Sequence, residues 1–257
     1  MKKRILALCL MLCAVLSVAG CASRPQEVQE SEEQLKIVCT IFPEYDWIKQ
    51  ILGARAQEVR LTLLMKDGAD LHSYQPTMWD IRAIAEADLF LYVGGESDAW
   101  VEDVLANTGN PHRKVLNLME LLKDSIKEEE HLEGMREGRG HDQEEEEEYD
   151  EHVWLSLRNA EKVCSAFAET LCELDEANGQ LYQYNENQYQ KRLKALDQAY
   201  EETVREAENP VLLFGDRFAF RYLAEDYGIT CYAAFPGCSA ETEASFSTIT
   251  FLAGKAG

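Results

Sequence analysis

Two histidines stand where a chain can place ligands. His72 lies in the polar run Asp70-Leu-His-Ser-Tyr-Gln-Pro-Thr77. His152 closes the acidic run that starts at Glu144, and apolar Val153-Trp154-Leu155 follows it at once. Neutral imidazole is the commonest metal ligand in proteins, and its other ring nitrogen is usually held by a carboxylate or another polar group. Both histidines have such neighbours in sequence: Asp70 and Tyr74 for His72, and Asp150 for His152. The pair reads as the nucleus of a divalent-metal site, set against the plainer reading of two capped surface histidines.

The elements around them must bring them together. Leu35–Ile41, Val59–Leu64, Asp88–Val93 and Val115–Leu118 read as short buried strands. Asp46–Leu52, Met78–Ala87 and Trp100–Ala106 read as the helices between them. Alternating strand and helix predicts a parallel-sheet α/β lobe, in which ligands bind beyond the carboxyl ends of the strands. His72 falls at such an end. Residues 124–151 carry fourteen acids, three glycines, His131 and His141, and read as a mobile acidic loop. Leu157–Leu174 is helical in period, and a second helix runs from about Gln180 to Glu208, long for a globular protein. Beyond Pro210 come a strand at Val211–Phe214, a helix at Arg217–Asp226, a strand at Ile229–Phe235 and a helix beginning at Ala244.

Composition narrows the function. The formal charge is −22 over 257 residues. That excludes electrostatic capture of nucleic acid or of an anionic membrane, and it is compatible with a cation as ligand. Lys2-Lys3-Arg4 followed by apolar Ile5–Val18 is a signal-peptide pattern, too short to span a membrane. Leu16-Ser-Val-Ala-Gly-Cys21 resembles a bacterial lipobox, with cleavage before Cys21 and lipid on its thiol. Residues 21–34 then read as a polar tether. Of eight cysteines, Cys9 and Cys13 leave with the signal and Cys21 carries the lipid. Cys39, Cys164, Cys172, Cys231 and Cys238 remain, an odd set with no CxxC pair, and Cys231–Cys238 is the nearest candidate disulfide.

The motifs resemble one family. His72-Ser-Tyr-Gln-Pro-Thr77 resembles the H-x-Y-E-P-T segment, and Asp150-Glu-His-Val-Trp-Leu155 the D-P-H-x-W-L segment, of the zinc and manganese substrate-binding lipoproteins of ABC transporters (cluster A-I). Trp79–Trp100, Asp175–Leu196 and Phe220–Gly228 are similar to further segments of that family in the same order. The resemblance implies two Rossmann-like α/β lobes joined by a long rigid helix, with the metal between them. On that pattern, 35–156 is the N-terminal lobe including loop 124–151, 157–208 the helical linker, and 209–257 a C-terminal lobe. That last lobe is short for the family, and the chain reads as cut short relative to it.

The resemblance also implies the site. His72 and His152 are ligands, and the family's third ligand is a histidine or glutamate two residues before A-F-x-Y. Matched without a gap, that position is Arg217, which has no lone pair to offer, so neighbouring Asp216 becomes the candidate. Glu241 and Glu243 are further candidates, and Cys238 is a soft donor suited to zinc that sequence alone does not place. His131 and His141 would collect zinc on the acidic loop. The implied activity is binding without catalysis: a monomeric, lipid-anchored extracytoplasmic protein handing Zn2+, alternatively Mn2+, to the permease and ATPase of an ABC importer. Affinity would fall as pH drops through the histidine range. The alternatives are a surface adhesin on the same scaffold, or a metallohydrolase with Glu151 as base.

Overall fold

The computed structural model of the chain describes residues 34–66, 68–135, 149–239 and 244–256. The expected signal, Cys21, His141, Glu241 and Glu243 lie outside them. Residues Leu35–Gly257 form one unit.

Four strands, β1 (Lys36–Cys39), β2 (Arg60–Leu63), β3 (Leu89–Tyr92) and β4 (Lys114–Asn117), pair in parallel in the order β2-β1-β3-β4. Their helices are α1 (Phe42–Leu52), α2 (Met78–Ala85), α3 (Trp100–Asn107) and the single turn α4 (Leu118–Leu121). A parallel sheet must be covered on both faces, and side chains alternate between them. Val38 and Phe90 face Ile84 of α2 and Val101 and Val104 of α3. Ile37, Cys39, Leu89 and Leu91 face the opposite way, against Trp47, Ile48 and Ile51 of α1. The same core takes in Val163, Phe167 and Leu171 of α5 (Leu157–Leu174).

α5 starts where Ser156 Oγ accepts the Asn159 N–H, and Asp175 ends it. Asp175 then gathers Arg55, Asn178 and the Tyr182 hydroxyl. α6 (Gly179–Glu206) follows for 28 residues, about 42 Å at 1.5 Å per residue. Its first half packs on α1 and α5 through Tyr182 and Leu193. Its second half meets α7 (Arg221–Tyr227): Tyr200 stacks on Tyr227, whose hydroxyl donates to Asp197. β5 (Val211–Arg217) and β6 (Thr230–Phe235) form a second, two-stranded parallel sheet, and α8 (Phe246–Ala256) packs on it.

Three expectations are corrected. The first helix begins at Phe42, not Asp46, because Pro43 sits in its first turn, where a missing N–H costs nothing. The helix expected from Arg217 begins at Arg221, because β5 runs on through Arg217 across an irregularity after Phe214. Cys231 and Cys238 are free thiols, not a disulfide. The described ends of the acidic segment are tied together and to α7, while 136–148, where the mobile loop is expected, lie outside the described residues: Glu128 bridges Tyr149, Lys127 N–H donates to the Tyr222 hydroxyl, and that hydroxyl donates to the Asp150 carbonyl. No helix among the described residues is long and apolar enough to cross a membrane.

Phe167 is wholly buried, with its ring against Trp47. Phe167→Ala opens a cavity where α1 meets α5 and is expected to cost about 3–5 kcal/mol of unfolding free energy. Urea melts check this, and a loss under about 1 kcal/mol would mean the core there recloses.

Candidate metal centre

The carboxyl ends of both sheets open on one cleft of about 290 Å³, lined by His72, Gly95, Ser97, Met119, Glu151 and Cys238 among others. His72, Gly95, Ser97 and Cys238 are placed by loops past strands, and Glu151 by the segment that leads into α5. After β2, Asp70 caps the tight turn Leu71–Ser73 by accepting the His72 N–H, 3.1 Å. After β3, Gly94 and Gly95 take positive φ, and a second tight turn, Glu96–Asp98, carries Ser97. A Cβ at Gly95 would sit 2.4 Å from Glu151 Oε1, so only glycine lets that loop close on Glu151. Before α5, Asp150 Oδ1 accepts the His152 N–H at 2.8 Å and meets the ring Nδ1 at 2.9 Å.

His72 Nε2 and His152 Nε2 are 3.3 Å apart. Two nitrogens on one tetrahedral zinc, each at about 2.0–2.1 Å, stand about 3.3 Å apart. The outer nitrogens are held. His152 Nδ1 donates to Asp150, because an ionised carboxylate only accepts. His72 Nδ1 lies 2.8 Å from Ser97 Oγ and 3.6 Å from Glu151 Oε2. With both Nδ1 atoms protonated, two Nε2 lone pairs face each other in a buried place, and a shared cation removes that repulsion. Burial first, then the neighbouring His152, pushes the His72 pKa down, which favours the neutral imidazole a metal needs.

Cys238 comes from beyond β6. Its Sγ and the two histidine donor atoms lie within 4.8 Å of one another. Burial pushes its thiol pKa well up, with the acids Glu129, Glu151 and Asp150 adding to that. Glu151 is 2 % exposed; its Oε1 accepts the Ser97 N–H at 2.9 Å, and its Oε2 makes no hydrogen bond.

The other expected donors are elsewhere or undescribed. Asp216 is exposed, and its Oδ1 accepts the backbone N–H of Arg217. Arg217 turns its guanidinium to Asp70 Oδ2 at 2.6 Å, tying the second sheet to the His72 turn and holding the Asp70 pKa below the usual carboxylate range. His131 is exposed and outside the His72–His152–Cys238 group. Sequence reasoning missed Ser97 altogether. It left Cys238 unplaced, although a glycine directly before a cysteine in a turn-rich loop was a usable signal for close backbone approach.

The family described as zinc-uptake complex component A, periplasmic (ZnuA), matches residues 37–256. The chain is 30% identical over 251 residues to the high-affinity zinc uptake system protein ZnuA of Bacillus subtilis, covering 96% of this chain and 74% of that one. It is 30% identical over 253 residues to the zinc-binding lipoprotein AdcA of Streptococcus pneumoniae, covering 97% of this chain but 47% of AdcA. The chain therefore spans about half the length of that relative. Among solved structures, the metal-dependent lipoprotein YcdH of B. subtilis superposes with TM-score 0.67 at 28% identity, over 87% of this chain and 75% of that one. Zn(II)-bound AdcA of S. pneumoniae gives 0.64 at 27%, over 84% and 42%.

Proposed function

The chain belongs to the ZnuA family of periplasmic zinc-uptake components, and we propose that it binds Zn2+ outside the cytoplasm and presents it to the permease and ATPase of an ABC importer. The observation that carries this reading is the 3.3 Å approach of the Nε2 atoms of half-buried His72 and buried His152, each with its Nδ1 anchored. Zn2+ is the cargo, not a cofactor, and the protein works by holding and releasing it.

The division of labour follows from the chain's layout. Residues 1–20 act as a lipoprotein signal, Cys21 carries the anchor and 21–34 form the tether. Residues 35–156 bring His72 and His152, 157–208 form the rigid link, and 209–257 close over the ion from the other side. The Arg217–Asp70 ion pair ties the two halves at the mouth of the cleft. His131 and His141, on the acidic segment that leads to His152, gather zinc at the entrance. The zinc-binding name of AdcA and the Zn(II)-bound form in which its crystal structure was solved support zinc over manganese.

Calorimetric titration of the purified, metal-stripped protein with Zn2+ and Mn2+ tests the reading. One tight zinc site per chain with much weaker manganese binding is expected. Weak, multiple binding of both ions would sink it, because solvated acidic residues alone give that result.

A further inference from the structure

We propose that Cys238 supplies the third ligand, so that the ion sits in a two-nitrogen, one-sulfur set made by His72, His152 and Cys238. The inference rests on the zinc-binding reading and names the residue that closes the site from the second sheet. Three independent features of the structure lead to it.

The first is the packing of the loop after β6. Gly237 is buried against the His152 ring: a Cβ there would lie 3.3 Å from His152 Cε1 and Nδ1, and 2.9 Å from the Phe218 carbonyl oxygen. Glycine lets this loop press on the imidazole and turn the next residue, Cys238, toward the histidine pair. The Cys238 N–H then donates to Glu129 Oε1 at 2.6 Å, fixing the loop to the foot of the acidic segment.

The second is distance. The three donor atoms already lie within 4.8 Å of one another. A sulfur at about 2.3 Å and a nitrogen at about 2.0–2.1 Å on a tetrahedral zinc stand about 3.5 Å apart. A rotation of the Cys238 side chain, or closure of its loop by about 1 Å, spans the difference.

The third is Glu151. It is almost wholly buried in the wall of the same cleft, and its Oε2 makes no hydrogen bond. A buried carboxylate oxygen with no hydrogen bond, only the His72 ring 3.6 Å away, is costly unless a positive charge lies near it. An ion among His72, His152 and Cys238 supplies that charge.

On binding, the S–H bond breaks, sulfur keeps the electron pair as a thiolate on the metal, and the proton leaves to solvent. A thiolate is a soft ligand, so this set favours zinc over manganese, whereas the positions expected from sequence, Asp216, Glu241 and Glu243, offer oxygen alone.

Cobalt(II) substitution reads the sulfur directly. The cobalt-loaded protein should show an intense near-ultraviolet thiolate-to-metal charge-transfer band together with the visible bands of a tetrahedral site. In Cys238→Ser and Cys238→Ala the charge-transfer band should vanish, zinc affinity should fall by roughly tenfold or more, and the zinc-to-manganese preference should shrink. A far-ultraviolet spectrum and urea midpoint like those of the parent establish that both variants fold. If zinc and cobalt bind tightly and need both histidines, but the band is absent and Cys238→Ala binds as the parent does, the inference is wrong and the zinc-binding reading stands. If the parent itself binds no zinc tightly, both fail.

Discussion

His72→Ala and His152→Ala should each abolish the tight zinc site, lowering affinity by more than the roughly 10–100-fold that losing an outer partner of a ligand costs. The two changes should be close to equivalent, because neither imidazole can hold the ion without the other 3.3 Å away. The double variant should then be little worse than either single one, the non-additivity expected of residues that act as a unit. Asp150→Asn is the finer test. Asp150 Oδ1 receives both the backbone N–H and the ring Nδ1 of His152. Asparagine keeps one oxygen acceptor but loses the charge that makes the imidazole a stronger donor, so zinc affinity should drop by about 10–100-fold with the fold intact. Calorimetry with competing chelators measures all four variants. Tight zinc binding that survives either histidine substitution would move the site elsewhere, with the acidic segment the first place to look.

The sheet was legible because its strands are short apolar runs bounded by turn residues, and the covering helices follow from their periodicity. The two histidines were legible for a local reason. Asp70 and Asp150, two residues before each histidine, both accept its backbone N–H, as aspartate before such a turn commonly does. Only Asp150 also holds a ring; the His72 ring is held by Ser97, not by the expected Asp70 or Tyr74. Ser97 and Cys238 were not legible in the same way, since their approach depends on two further loops closing on the cleft. No spacing rule reports how a loop after β6 will pack on a ring that precedes α5. Arg217 shows the limit of matching by motif. The position where the resemblance calls for a ligand holds a guanidinium, and the structure gives it a partner, Asp70, that no linear reading links to it. The first helix starts earlier than its apolar period suggests because Pro43, with no N–H to lose, suits a helix's first turn.

Glu44→Gln should flatten the pH dependence of stability in the metal-free protein. Glu44 is wholly buried at the start of α1. Its Oε2 accepts from Thr40 N–H, Thr40 Oγ and Ile41 N–H, at 2.8, 3.1 and 3.2 Å, while Oε1 has no partner. Burial, then the nearby charge of Asp98, raises its pKa from 4.5 to about 8. Asp98, 2 % exposed, accepts from Val93 N–H and Gly94 N–H and is itself raised to about 6, by burial first. A carboxyl whose pKa is higher folded than unfolded binds more protons in the native state. Its contribution is complete below the unfolded value near 4.5, erodes as pH rises through about 8, and is gone above that. At about 1.4 kcal/mol per unit, Glu44 removes roughly 3–5 kcal/mol across that window, and Asp98 acts in the lower part of it. Glutamine cannot ionise, so Glu44→Gln should match the parent near pH 5 and exceed it at pH 9 in urea midpoint. Metal must be absent, because zinc bound to the native state alone adds its own pH-dependent stabilisation. Parallel pH profiles for parent and variant would show that Glu44 is not held neutral. The consequence reaches the site, because Asp98 shares its turn with Ser97, and its oxygen gathers the amides of the Gly94–Gly95 loop that closes on Glu151. Keeping Glu44 protonated removes one buried negative charge beside Asp98, whose remaining acidic neighbour, Glu151, faces the same loop from the cleft side.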